Sequence, residues 1–168
     1  MIKPPIPDNE QERLALLYEL LLLDTPPERR LDKIVEFAAA EFDVPVCLIS
    51  LVDAKRQWFK ARIGLDACET SRDVSFCAHA LGGEDVLLIE DALHDPRFHD
   101  NPLVTGAPHI RFYAGAPLIM RDGLAIGTLC LIDTRPRTLD KLALAILRSL
   151  RDLAVLELGA QQAEASDA

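Results

Sequence analysis

The run from Arg111 to Asp133, RFYAGAPLIMRDGLAIGTLCLID, constrains the fold more than any other part of this chain. It reads as two apolar strands joined at Arg121-Asp122-Gly123, because aspartate followed by glycine supplies the positive φ angles of a tight hairpin connection. The return strand, residues 124–132, carries no charge on either face. Such a strand must be covered on both sides, which places it in the middle of a sheet between two other layers. Tyr113-Ala114-Gly115-Ala116-Pro117 puts small residues where core bulk is expected, leaving room for a bound molecule.

At 168 residues the chain suits one domain, long enough to bury a core without a disulfide or metal staple. The net charge of −9 argues against nucleic acid and against an anionic membrane surface as partners. No window has the length and apolarity of a membrane span, and the N-terminus lacks the apolar core of a signal peptide. Four cysteines without an export signal read as thiols, and a cytoplasmic location is expected.

Residues 1–9, containing Pro4, Pro5 and Pro7, are expected to form an irregular arm. Residues 10–162 form the domain and 163–168 a tail. A leucine-rich helix is expected over 10–23. Thr25-Pro26-Pro27-Glu28 then reads as a capping box opening a second helix, which buries Leu31, Ile34, Val35, Ala38 and Phe42. Strands follow at 46–52 and 57–63. The second alternates Trp58, Lys60 and Arg62 with Phe59, Ala61 and Ile63, as a half-exposed edge would. A short helix over 74–81, a strand over 86–90, a long loop over 91–108, the hairpin and a closing helix over 139–162 complete the order. The closing helix carries Leu139, Leu142, Ala143, Ile146, Leu147, Leu150, Leu153 and Ala154 along one side. The fold class is therefore α+β, an antiparallel sheet of five or six strands between two layers.

Several ordered segments resemble the GAF family of small sensory domains, related in fold to PAS domains. They include Leu23-Asp24-Thr25-Pro26-Pro27-Glu28, Ser75-Phe76-Cys77-Ala78-His79-Ala80 and Asp95-Pro96-Arg97-Phe98. Others are Arg111-Phe112-Tyr113-Ala114-Gly115-Ala116-Pro117 and Gly127-Thr128-Leu129-Cys130-Leu131-Ile132-Asp133. The resemblance is to a subgroup found in bacterial sensor histidine kinases and diguanylate cyclases. It implies a sheet in the order 2-1-5-4-3, terminal helices on one face, and a short helix and long loop roofing a small-molecule pocket on the other. It further implies a homodimer through the terminal helices and an output kinase or cyclase domain within a two-component or related system. The pocket is expected to draw on Ser75, Phe76, Cys77, Asp91, Phe98, Leu103, Arg111, Tyr113, Gly115 and Cys130, with the effector and any cofactor unknown. The asparagine-lysine-x-aspartate motif of cyclic-nucleotide members has no counterpart here.

Each chemical feature has two readings. Cys77, in the first turn of a short helix, is either a reactive thiol or a small buried hydrophobe. With Cys68 it resembles the cysteine arrangement of free methionine-(R)-sulfoxide reductases, an alternative function as a thiol enzyme or redox switch. Arg97 and Arg111 either offer a planar fork to an anion or pair with Asp91, Asp95 and Asp133. His94 and His99 do not match a standard zinc spacing, and no metal site is expected. Trp58 and Phe59 read as core, and Leu20-Leu21-Leu22-Leu23 as a partner surface. A third reading is a ligand-free dimerisation scaffold.

Overall fold

The computed structural model describes residues 1–167, with side chains through residue 160. Five helices and six strands form around one sheet. In chain order these are α1 (Glu10–Glu19), α2 (Arg29–Phe42), β1 (Val46–Val52), β2 (Arg56–Ile63), β3 (Glu69–Ser71), α3 (Phe76–His79) and β4 (Leu87–Ile89), then α4 (Pro102–Thr105), β5 (Phe112–Ile119), β6 (Ala125–Asp133) and α5 (Lys141–Asp167). Single 3-10 turns at Arg72–Val74 and Ala92–His94 precede α3 and the roofing loop.

The sheet is antiparallel throughout, in the order β3-β2-β1-β6-β5-β4. Leaving out the three-residue β3 returns the expected order, so the difference is one added edge strand. That strand was not legible because Glu69-Thr70-Ser71 is short and polar, yet it pairs with Arg56, Gln57 and Trp58. β6 is buried along its whole length, as an uncharged central strand requires. At the hairpin, Asp122 and Gly123 both take positive φ, 63° and 72°.

Two apolar layers flank the sheet. On one side α1, α2 and α5 pack through Leu17, Leu31, Val35, Leu147 and Ala154 against Cys47, Ile49, Leu51 and Leu129. On the other, α3 and the long loop contribute Phe76, Ala92, Phe98 and Val104 against Leu48, Tyr113 and Cys130. The α2 stripe is the expected one: Leu31, Ile34, Val35, Ala38 and Phe42.

Four local expectations change. The first helix stops at Glu19, and Leu21 turns left-handed with φ 54°. That reversal lets Leu20 and Leu22 both enter the core while Leu21 stays 72% exposed. The capping box does not form: Thr25 Oγ1 donates to the Leu22 carbonyl and accepts from Lys60 Nζ at 2.6 Å, and α2 begins only at Arg29. β2 is not a half-exposed edge either. Its register with β1 shifts between Ile49 and Ser50, a β-bulge that turns Lys60 inward, 2% exposed, onto Glu28 at 2.8 Å. Finally, α5 extends to Asp167 through most of the expected tail, while Ala168 lies outside the described residues.

The apolar side of α5 is wider than the sheet can cover. Leu147, Ala154 and Leu158 face the core, whereas Leu142, Leu153 and Leu156 are 69%, 43% and 70% exposed. With the exposed Ser149 and the half-buried Ile146, which also packs on the core, they recur at alternating four- and three-residue steps, the spacing of a coiled-coil seam.

Candidate functional site

On the sheet face opposite the terminal helices lies a cavity of about 360 Å³. Its walls come from four places. β1 and β2 supply Val46, Leu48 and Phe59; the connection after β2 supplies Gly64, Leu65 and Asp66; α3 supplies Phe76 and Cys77; the roof supplies Leu103, Pro108 and Ile110. Gly64 is required at the rim, because its φ is 82° and an added Cβ would run into the Pro45 backbone.

The floor is polar in a localised way. Gln57 is 5% exposed and accepts from Ser50 and Ser75 at 3.2 and 2.8 Å, while its amide donates to Thr70 Oγ1 at 2.6 Å. Gln57, Thr70 and Tyr113 all reach the cavity. Tyr113 lies fully buried, with its hydroxyl 3.5 Å from Thr128 and its ring 5.3 Å from that of Phe76. Among the described residues no lysine, arginine or histidine lines the cavity, and Asp66 is the only charged group there.

Of the residues expected at the site, Phe76, Cys77, Leu103 and Tyr113 line the cavity. The other expected site residues do not reach the cavity, each for a structural reason. Ser75 caps α3 by accepting from the Ala78 amide and donating to Gln57. Phe98 lies behind Phe76, stacked at 4.2 Å between centroids, and supports that wall from outside. Gly115 sits beneath the Tyr113 ring. Cys130 lies behind Cys77, with the two sulfurs 3.8 Å apart. Asp91 anchors a turn through the Leu93 amide and faces His94.

Arg111 is not a ligand fork. Its guanidinium donates to the carbonyls of Val104 and Ile110, both at 3.0 Å, and ties the roof down. Arg97 is held by Asp95 at 2.8 Å, the pairing reading. An anion site at the start of α3 therefore lacks any positive side chain. Gln57, Thr70 and the Gly64–Asp66 wall were missed. A glutamine amid apolar strand residues was their one legible trace; the wall comes from a short polar turn with no pattern of its own.

Burial opposes a thiolate at Cys77, but the polar groups around it, Cys130 first and then Thr128, Tyr113 and Ser50, outweigh burial and bring the thiol down to about 7. Burial pushes Cys130 and Tyr113 the other way. Cys68 is exposed and borders a separate groove against α2 with Val35 and Lys60, so it does not share the cavity with Cys77.

A charged cluster joins the two faces. Glu10 on α1 accepts from Arg13 at 3.0 Å and from Arg72 at 3.1 Å; Arg13 also donates to the Val52 carbonyl and Arg72 to that of Asp53. Burial would raise the Glu10 carboxyl, but the two arginines hold it at about 2 instead of 4.5. Arg72 opens the 3-10 turn that leads through Ser75 into the cavity floor.

A sheet with helices on one face and a roofed cavity on the other defines a small α+β domain of the PAS-like kind. The GAF domain family model matches residues 26–163, and the chain belongs to that family. A cyclic di-GMP phosphodiesterase of Pseudomonas aeruginosa is 48% identical over 137 residues, covering 82% of this chain and 23% of that protein. The chain thus spans about a quarter of that relative's length. The GAF domain of a phosphoenolpyruvate-protein phosphotransferase from Coxiella burnetii superposes with a TM-score of 0.67 at 16% identity, covering 95% of this chain and 99% of that one. A type II free methionine-R-sulfoxide reductase from Thermoplasma acidophilum superposes at 0.62 with 15% identity, covering 80% and 91%. At these identities both structures speak to the fold alone. GAF domains of this kind occur in bacterial signalling proteins, and none of the described helices is long and apolar enough to cross a membrane.

Proposed function

We propose that this GAF domain is a regulatory sensor whose cavity takes a small, uncharged, mostly apolar effector, and that two copies associate through their terminal helices. The carrying observation is the cavity itself: apolar walls around the buried Gln57 and Tyr113 and the half-buried Thr70, with no cation facing in. At about 360 Å³ it lies at the small end of ligand sites, suiting one ring system with one or two polar groups on its edge. A dinucleotide is too large, and its phosphates would find no arginine or lysine.

Occupancy would reach α1 through Arg72, because the turn that positions Ser75 and Gln57 also holds Glu10. A ligand shifts this linkage only as far as it binds two arrangements of the floor differently. The outward seam of α5, with Leu142, Leu153 and Leu156, supplies the face for a second copy. The kinship with a cyclic di-GMP phosphodiesterase favours an output in second-messenger turnover over the kinase or cyclase suggested by the sequence. In this reading the domain is regulatory, acts in the cytoplasm, and leaves chemistry to its output partner.

Native mass spectrometry of the protein from bacterial cells, beside a denatured sample, tests the proposal. The expected native species is a dimer with a small adduct lost on denaturation. Bare protein, together with no thermal shift across a panel of neutral ring metabolites, would overturn the sensor reading.

A further inference from the structure

Cys77 and Cys130 belong to different elements, α3 and the central strand β6, yet their sulfurs stand 3.8 Å apart. Cys77 lines the cavity although it is only 2% exposed, so a small molecule inside the cavity lies against this residue. Cys130 is fully buried, in contact with Cys77, and does not line the cavity. The front thiol is thus addressable and the rear thiol is positioned to answer it. Cys47 is buried among residues of the helix-side core, and Cys68 is exposed outside the cavity. The arrangement singles out one pair among the four cysteines.

We infer that Cys77 and Cys130 form a dithiol modification site, closed to a disulfide by a small apolar hydroperoxide that enters the cavity. In the first step the Cys77 sulfur attacks the terminal peroxide oxygen. The O–O bond breaks, the alkoxide leaves as the alcohol with the proton released by Cys77, and Cys77 becomes a sulfenic acid. In the second step the Cys130 sulfur attacks the Cys77 sulfur, and the displaced hydroxide leaves as water with the Cys130 proton. Two thiols are oxidised by two electrons, and one hydroperoxide is reduced to an alcohol and water.

Bonding requires the sulfurs to approach from 3.8 Å to about 2.05 Å. α3 can supply this movement, because it is a single four-residue turn followed by Gly82 and Gly83. The polar groups around Cys77, which hold its thiol lower than an ordinary one, favour its thiolate, the form that attacks. Closure would draw α3 onto the sheet and narrow the cavity. The site requires the cavity but no effector, so it stands or falls apart from the sensor reading.

The test treats the reduced full chain with tert-butyl hydroperoxide, blocks remaining thiols after denaturation and maps the peptides by mass spectrometry. The exposed Cys68 serves as an internal reference. The expected product is one cross-linked pair of peptides carrying Cys77 and Cys130, short of two hydrogen atoms, formed about tenfold faster than Cys68 is consumed. In Cys130→Ser, Cys77 is expected to stall as a sulfenic acid that dimedone traps. Oxidation of Cys68 while Cys77 and Cys130 remain blockable thiols would overturn the inference. So would a cross-link that forms only in denaturant, or one that joins Cys77 to Cys68.

Discussion

The ring of Tyr113 lies over Gly115 on the same strand: a Cβ added to that glycine would stand 2.6 Å from the phenol Cζ. The floor of the cavity is therefore shaped by a missing methyl group. Gly115→Ala must push the ring away from β5, and because Tyr113 is fully buried the displacement has to be absorbed by Phe76 or the cavity. We expect a loss of about 1–3 kcal/mol in urea unfolding together with loss of the small-molecule adduct. Tyr113→Phe should cost under about 1 kcal/mol, since the hydrogen bond its hydroxyl makes, to Thr128, is long at 3.5 Å. Equal effects from the two variants would contradict this account.

Glu10 links stability to acid. Its folded pKa of about 2 lies below the ordinary 4.5, so its contribution is complete above pH 4.5 and fades as pH falls toward 2. Asp53 and Asp95, also lowered, act with the same sign. Glu10→Gln leaves the buried Arg13 without its carboxylate and should cost roughly 3 kcal/mol at neutral pH. It should also flatten the acid limb of a stability-versus-pH curve measured by urea titration. An unchanged limb would show that the carboxylate gains nothing from its arginines.

Lys60 holds the entry to α2. Its ammonium meets Glu28, Thr25 Oγ1 and the Pro26 carbonyl within 2.8 Å. Lys60→Met keeps the volume but removes the donor shared by Glu28, Thr25 and the Pro26 carbonyl, for an expected loss of about 1–3 kcal/mol. Arginine should not rescue it, because a planar fork does not fit three acceptors gathered around one nitrogen. Full rescue by arginine in an unfolding titration would argue against this geometry.

The seam on α5 makes a separable prediction. Leu153→Glu combined with Leu156→Glu should convert a dimer to a monomer in sedimentation velocity. Thermal stability measured at high dilution should change little, since both side chains already face solvent in the single chain. A dimer that survives both charges would locate the interface elsewhere.

What the sequence disclosed follows from how local each signal is. The hairpin was legible because Asp122-Gly123 carries its turn chemistry within two residues and the return strand is apolar on both faces. The α2 stripe was legible because one period runs unbroken from Leu31 to Phe42. Lys60 was not, since alternation points it outward and only a bulge, set by pairing with β1, turns it in. The end of α1 was hidden for a similar reason: a run of leucines fits a helix until Leu20 and Leu22 are both required by the core. At the cavity, Phe76, Cys77 and Tyr113 lie within the short segments that resemble the family. Arg111 could not, because its carbonyl partners exist only once the roof has folded.

Both borders of the sheet are minimal: β3 and β4 have three residues each. A border that short offers an incoming chain too few free amide and carbonyl groups to continue the ladder, so growth by strand addition has little to start from. Dimensions alone thus steer self-association away from the β-layer and onto helix surfaces, where contacts break and re-form without disturbing the backbone that encloses the cavity.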